Sequence, residues 1–530
     1  MNTWLSGLVV RASIAFIFVV FLTIISSNTY AQSSNSSLPN LGDNSELTSS
    51  AERRMGERIA REIYRDPDYI DDPILLEYVN AIWQPLLAAA RLRGDLAPEL
   101  DERFAFEIML GKDRSVNAFA LPGGYFGLHL GLMAVVSNRD ELASVLGHEL
   151  SHVTQRHISR IISKQNAQSP WAIGAMILGV LAASKSADAA NALIVGSQAA
   201  AQQSQLNFSR DMEREADRMG FGIMTQAGFD GRGFVSMFEK LQQSSRLSDS
   251  AAFPYLRSHP LTTERIADMQ GRIPPANVPV VPAIGSLEHA MVSARARVLS
   301  NSGVDALRAW AALAAGVPEP SAAVLTPEMR YRQTGTVYGA ALAAMKLRDF
   351  AASAPHLSKL TALTANDAFA ARLAYLLAAE IALTDGNGSK AAAALAANDA
   401  VLKSPLVKGP KAGRPELILG ATIALRAGRP KDAADTLQTW VANHPRDAHA
   451  WQLLSAAQTA LGQRLRAIRA DAEAQVAVLD YAAAADRFKA AQEVARELAR
   501  QGAADHIEAS IIDSRARQVA LLLREQALER

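Results

Sequence analysis

The sequence predicts an α+β fold that is mostly α, built in two parts: a mixed part that contains strand, followed by a part that is all helix. Three observations predict it. From about Glu288 onward the chain is Ala/Leu-rich with helical periodicity and short turns, as in Ala322 to Arg348 and Phe350 to Thr364. Upstream, Asn117 to Phe126 alternates in side-chain character and is broken by Pro122-Gly123-Gly124, a strand and turn. Between the two parts, Ile273 to Pro282 carries so many prolines that it cannot be helical throughout. A chain of 530 residues, 49% hydrophobic and 20% charged, has room for large cores in two or more domains.

In chain order, residues 1–31 read as an export signal. Arg11 precedes the apolar run Ala12 to Ile25, and Thr29-Tyr30-Ala31 offers small residues for cleavage, so the mature chain is expected to begin at Gln32. The rival is an uncleaved anchor, since Leu5 to Val10 is apolar as well. Either way the bulk of the chain leaves the cytoplasm, and a bacterial-type signal places it in the periplasm. The Ser/Asn-rich residues 32–50 read as a flexible leader. Lys plus Arg total 54 against 53 Asp plus Glu, so charge provides no case for nucleic acid as a partner. The chain has no Cys. That excludes thiol catalysis, disulfide scaffolds and lipidation of an N-terminal cysteine, and it confines any metal to His and carboxylates.

His148-Glu149-Leu150-Ser151-His152 is the strongest chemical signal. On a helix the two imidazoles sit at i and i+4 and can grip one Zn²⁺, while Glu149 projects near the open coordination position as a base for water. Chance would produce this pattern in roughly one such chain in a hundred. No Pro interrupts Glu141 to Ile158, so a continuous helix is expected there. A third ligand is needed, and Ser209 to Arg218 is the best source. Glu213 and Asp217 share one face at i and i+4, although an ordinary charged helix surface would also carry them and Glu215 competes as a ligand. In between, Trp171 to Ala183 is apolar but too short to cross a bilayer. It reads either as a core helix or as a mobile flap or interfacial segment, which would allow peripheral membrane association, and the weakly packing Ala182 to Gln205 would suit a flexible loop.

With H-E-x-x-H followed by E-x-x-x-D, the chain resembles the metallopeptidase family of HtpX and the CAAX prenyl proteases. That resemblance implies a gluzincin-type domain over residues 51–272, a small sheet packed on helices, one Zn²⁺ per subunit on His148, His152 and Glu213, and catalysis by Glu149. It makes Asp217 the carboxylate that orients a zinc-bound imidazole or serves as a secondary proton donor. Asn117 to Phe126 resembles the family's edge strand, with Asn117, Ala118, Phe119, Gly123 and Gly124 as candidate contacts to an extended peptide; a plain hairpin is the alternative. Ser258 to Ile266 resembles the family's H-P-x-x-x-x-R-I segment. There His259 either stabilises the oxyanion or fills the water position and holds the enzyme latent, with Arg265 supporting it through a salt bridge. His129 and His157 read as ordinary polar residues beside the site.

After a linker at 273–287, residues 288–530 read as tetratricopeptide repeats. Turn glycines Gly428 and Gly462 stand 34 residues apart with His444-Pro445 between them. Repeat identity is strongest over Leu417 to Leu479, and Ser404 to Pro415 interrupts the pattern. Such repeats bind peptides or partner proteins. An exported peptidase of this family fused to such repeats resembles the BepA/YfgC-like periplasmic proteases. This implies an endopeptidase that degrades unfolded or misassembled outer-membrane proteins, assists their assembly and contacts the β-barrel assembly machinery. The rival is a mainly non-proteolytic chaperone or scaffold that holds barrel precursors on the repeats.

Overall fold

Helix α1 (Ser49–Arg65) begins where the Thr48 side chain accepts a hydrogen bond from the Ala51 N–H, so the expected leader ends in a helix cap. The computed structural model describes residues 47–164, 209–247, 253–273, 285–317, 325–403 and 411–528. The expected export signal, the run Trp171 to Ala183, the stretch Ala182 to Gln205 and most of the Pro-rich linker lie outside the described residues. Among the described residues no helix is long and apolar enough to cross a membrane.

After α1 come β1 (Tyr69–Ile70), α2 (Pro73–Arg93), α3 (Pro98–Arg103), β2 (Glu107–Gly111), β3 (Ala118–Leu121), a 3-10 turn at Pro122–Gly124, β4 (Tyr125–His129) and α4 (Leu130–Val135). The four strands form one sheet in the order β1-β2-β4-β3, parallel between β2 and β4 and antiparallel elsewhere, with β3 on an edge. β4 is buried along its whole length. Trp83 of α2 packs edge-on to Phe126 with ring centroids 4.6 Å apart, and its indole N–H donates to the Phe106 carbonyl at 2.9 Å. The turn needs its glycines, since Gly123 and Gly124 have φ of 71° and 77°.

The mixed part continues with α5 (Arg139–Thr154), α6 (His157–Lys164), α7 (Arg210–Gln226), α8 (Arg232–Leu247), α9 (Pro254–Ser258) and α10 (Thr263–Arg272). The continuous helix expected through Ile158 is broken. α5 ends at Thr154, and Arg156 takes a left-handed φ of 51° before a new helix starts at His157. The Arg156 guanidinium explains the cost-bearing conformation: it is held by the Leu47 carbonyl, the buried Glu52 carboxylate and the Ser159 hydroxyl.

The elements described beyond Arg272 are all helices: α11 (Leu287–Ser300), α12 (Val304–Leu313), α13 (Pro327–Lys346), α14 (Phe350–Thr364), α15 (Ala368–Thr384), α16 (Gly388–Leu402), α17 (Arg414–Arg426), α18 (Pro430–Asn443), α19 (Ala448–Ala460), α20 (Arg464–Ala477), α21 (Tyr481–Arg500) and α22 (His506–Leu528), with a 3-10 turn at Ala314–Gly316. Left-handed residues at Arg348, Gly386, Gly428, Gly462 and Gly502 turn successive helices into hairpins. Asp side chains at positions 349, 367, 447 and 480 cap the helices that follow.

One hydrophobic core runs from Ile74 of α2 through α5 into α11, α13 and α15, so the Pro-rich segment does not mark an end of the core. Three arginines tie the helices beyond it to the start of α2. Arg295 holds Asp72 and Glu380, Arg372 holds Glu77 and Glu416, and Arg414 holds Asp71 and Asp447. The pairs buried on both sides, Arg295 with Asp72 and Arg372 with Glu416, contribute little net stability but a great deal of positional definition, because breaking one leaves a charge uncompensated.

Candidate metal centre

Helix α5 supplies the first two candidate ligands. The Asn138 side chain caps it by accepting from the Glu141 N–H, and every residue from Glu141 to Thr154 is buried. His148 and His152 therefore point one turn apart into the interior, in line with their spacing. Helix α7 crosses α5 where Gly147 and Gly220 meet. A Cβ on Gly220 would lie 2.9 Å from the backbone of Gly147 and His148, so only glycine lets the helices approach this closely. That approach carries Glu213 and Asp217, on the buried face of α7, to the two histidines. His259 follows α9, with its backbone N–H donating to the Tyr255 carbonyl at 2.9 Å and its ring facing that of Tyr255 at 4.7 Å.

One ligand atom each from His148, His152, Glu213 and His259 lies within 4.8 Å of the others, and all four residues are buried. The two Nε2 atoms of His148 and His152 are 3.0 Å apart, His259 Nδ1 is 3.0 Å from Glu213 Oε1 and 3.3 Å from His148 Nε2, and His152 Nε2 is 3.5 Å from Glu213 Oε1. Lone pairs converging at these separations suit a cation at their centre. The neighbouring groups fit the same purpose. His148 Nδ1 donates to Asp217 Oδ1 at 2.9 Å, which leaves Nε2 free to ligate. Arg265 Nε and Nη2 donate to both Asp217 oxygens at 2.6 and 2.7 Å, and its Nη1 lies 2.8 Å from Glu213. Glu149 is fully buried, and among the described residues no side chain donates a hydrogen bond to either of its oxygens; His259 Nε2 stands 3.4 Å from Oε1. A buried carboxylate left this way calls for a water or ion in front of it.

The electrostatics divide the carboxylates. Burial pushes the Glu149 pKa up, as suits a proton acceptor, with His259 and His148 opposing. Burial acts the same way on Glu213 and Asp217 but is overcome. His259, His148 and Arg265 hold Glu213 below its ordinary value, and hydrogen bonds from Arg265 and His148 hold Asp217 below its own. Burial and the neighbouring imidazoles depress His152 well below the usual imidazole value, which favours the neutral ring that a metal ligand requires.

The edge strand β3 packs on α5, and its Ala120 N–H is the backbone group that acts on Glu149. Of the other candidate substrate residues, Ala118 is buried and pairs with Leu128, while Phe119 lies over Gly127 and edge-on to His129. Asn117 accepts from the His129 N–H, and Gly123 accepts from Ala105 while packing on Arg53 of α1. Gly124 packs on Phe104. The strand thus lies against the helix that carries His148 and His152, while the contacts of Asn117 and the two glycines hold the strand and its turn in place. His129 bonds Ser115 at 2.9 Å, in keeping with an ordinary polar role. His157 differs: its Nδ1 is 2.9 Å from His152 Nδ1. Nothing in the periodicity reveals this, because it depends on the left-handed break at Arg156. Tyr255 is a second neighbour of the histidines that the sequence did not single out.

Peptidase family M48 matches residues 84–273. A beta-barrel assembly-enhancing protease of Yersinia pestis is 30% identical over 448 residues, 82% of this chain and 83% of the relative. The protein of that name from Escherichia coli K12 is 29% identical over 468 residues, 85% of this chain and 87% of its own length. A Vibrio cholerae protein provisionally given the same name is 33% identical over 335 residues, and this chain spans 64% of its length. The four-residue metal-binding group falls inside the matched span, and with a relative at this identity across most of both chains, the protein belongs to peptidase family M48 and is a metallopeptidase.

Proposed function

We propose that this protein is a periplasmic zinc endopeptidase that removes misassembled outer-membrane β-barrel proteins and assists their assembly. The observation that carries the hydrolytic reading is the buried Glu149 carboxylate, to which no side chain among the described residues donates a hydrogen bond, beside the four-residue metal group. Zinc is the first choice for His/His/Glu ligation without sulfur. The barrel-protein substrates and contact with the barrel assembly machinery are supported by the relatives' name, and the periplasmic location by the export-type N-terminus. The peptidase domain would span 51–272, and the helices of 288–530 would form tetratricopeptide repeats that present a surface for partners.

His148, His152 and Glu213 would hold the ion, which when bound supplies Lewis acidity that acidifies water and polarises a peptide carbonyl. Asp217, paired with Arg265, keeps the His148 Nε2 lone pair turned to the site. Glu149 accepts a proton as water oxygen bonds to the carbonyl carbon. It then delivers that proton to the amine nitrogen as the C–N bond breaks, with no covalent bond to the enzyme. The edge strand at Ala118 and Phe119 would hold the substrate extended through main-chain hydrogen bonds, with Asn117, Gly123 and Gly124 shaping it. His259 stands within 3.0 Å of Glu213 and 3.4 Å of Glu149, where an attacking water belongs. This favours a resting form in which His259 is the fourth ligand and must withdraw for catalysis.

The test is cleavage of a loosely folded polypeptide, and of an unfolded β-barrel precursor, by zinc-loaded protein beginning at Gln32 beside its Glu149→Gln variant. Cutting by the wild type alone supports the reading. Equal cutting by both rejects Glu149 as the base. Suppression of precursor aggregation without cutting by either moves the function to a chaperone.

A further inference from the structure

The metal-facing nitrogen of an imidazole is set by what its other nitrogen does, and the structure gives the two histidines of α5 different outer partners. His148 Nδ1 meets Asp217 directly. His152 Nδ1 instead lies 2.9 Å from Nδ1 of His157, whose Nε2 lies 3.0 Å from Glu215 Oε2. The same Glu215 oxygen is held at 3.0 Å by Arg160 Nη1. We propose that His157 and Glu215 are positioning residues for the metal site, a hydrogen-bonded relay that fixes the tautomer and the orientation of His152. The proposal rests on the metallopeptidase reading above.

Donor and acceptor bookkeeping gives the relay its direction. An ionised carboxylate only accepts, so His157 Nε2 must donate to Glu215. A neutral imidazole that donates through Nε2 has a lone pair at Nδ1, so His152 Nδ1 must be the donor in the contact between the rings. His152 Nε2 is then left unprotonated, aimed at His148 and Glu213. The relay thus does for His152 what Asp217 does for His148. Both chains start on α7: Glu213 ligates, Asp217 reaches one histidine, and Glu215, on another side of the helix, reaches the second through an intervening ring.

The backbone break at Arg156 makes the relay possible. On an uninterrupted helix, residues five apart point roughly 140° away from each other around the axis, so His157 would not meet His152. The left-handed turn at Arg156, φ 51°, starts α6 in a new direction and sets the two rings 4.9 Å apart at 73°. Arg160, one turn further along α6, then falls on the same side as His157 and clasps Glu215. His157 is completely buried, whereas the Glu215 side chain is 40% exposed, so the outer end of the relay can be altered without opening the core.

The test measures zinc affinity by competition with a chromogenic chelator, together with kcat and KM, for full-length wild type, His157→Leu, His157→Asn and Glu215→Ala. The Asn side-chain oxygen stands near the position of His157 Nδ1 and accepts from His152, so it restores one link. Expected are a loss of zinc affinity of about 10- to 100-fold for His157→Leu, with kcat falling more than KM changes, substantial recovery in His157→Asn, and a severalfold loss for Glu215→Ala. Should His157→Leu fail to fold, the comparison of Glu215→Ala with wild type still decides, because that side chain is half-exposed. Unchanged affinity in Glu215→Ala and His157→Leu, or equal losses in the Leu and Asn variants, overturns the relay. A wild type that takes up no zinc overturns the metal-site reading itself, and the relay with it.

Discussion

Replacing Gly220 by Ala tests whether the close crossing of α5 and α7 builds the metal site. The added Cβ would stand 2.9 Å from Gly147 C and His148 N and 3.0 Å from Gly147 O, all of them backbone atoms that cannot swing aside. Carbon contacts settle near 3.5 Å, so the helices must separate by about 0.5 Å. Ligand distances at a metal tolerate about 0.2 Å, and Glu213 and Asp217 ride on the displaced helix. The effect on folding is smaller. Overpacking costs about 1–3 kcal/mol, while exchanging a mid-helix Gly for Ala returns about 1 kcal/mol. We therefore expect metal-free stability in urea to drop by no more than about 2 kcal/mol, with zinc affinity and turnover falling at least about tenfold. Gly147→Ala, whose Cβ would come only to 3.1 Å from Gly220 O, should be milder. A Gly220→Ala protein with native zinc affinity and full turnover would refute the argument.

Three further perturbations follow from particular contacts. His259→Ala should raise cleavage of an unfolded substrate by emptying the fourth ligand position; a fall in kcat at constant KM would instead assign His259 to oxyanion stabilisation. His289 joins α11 to the mixed part, its Nε2 donating to the Val136 carbonyl and its Nδ1 accepting from Tyr78, and burial pushes its pKa down to about 4. Below the ordinary value of about 6.5 the unfolded chain takes up a proton that the folded chain refuses. Stability is therefore complete above that pH and declines by about 3 kcal/mol as pH falls to about 4, a slope that His289→Asn should flatten in urea titrations. Arg295→Met strands the Asp72 and Glu380 carboxylates and should cost about 3–5 kcal/mol, whereas Lys431→Met at an exposed pair with Asp435 should leave the unfolding curve unmoved; equal effects would show that burial of the Arg295 network does not matter.

Local rules made much of the molecule legible. The i, i+4 spacing of His148 and His152, and of Glu213 and Asp217, depends only on helix geometry, and both pairs lie on buried helix faces that meet. Pro122-Gly123-Gly124 announced its turn because two positive φ angles exclude most side chains. The spacing of Gly428 and Gly462 showed two hairpins of the helical part. Its earlier hairpins were obscured because one of their turns uses Arg348 in a left-handed conformation, a residue type that does not mark it. The break at Arg156 was illegible for the same reason, and with it the partnership of His157 and His152.

The sequence by itself carried the helical and strand character of the two parts and singled out His148, His152 and Glu149, because each follows from periodicity or spacing within one element; spacing alone left Glu213 and Glu215 both open as the third ligand, and only the family resemblance chose Glu213. Only the tertiary structure decided that His259 stands inside the ligand group, that Asp217 serves His148 while His157 serves His152, and that one core and three arginines, at 295, 372 and 414, join the mixed part to helices beyond the Pro-rich segment. These are contacts between elements far apart in the chain. They depend on how closely two glycines let helices cross and on where single left-handed residues turn the backbone, and neither is written in local periodicity.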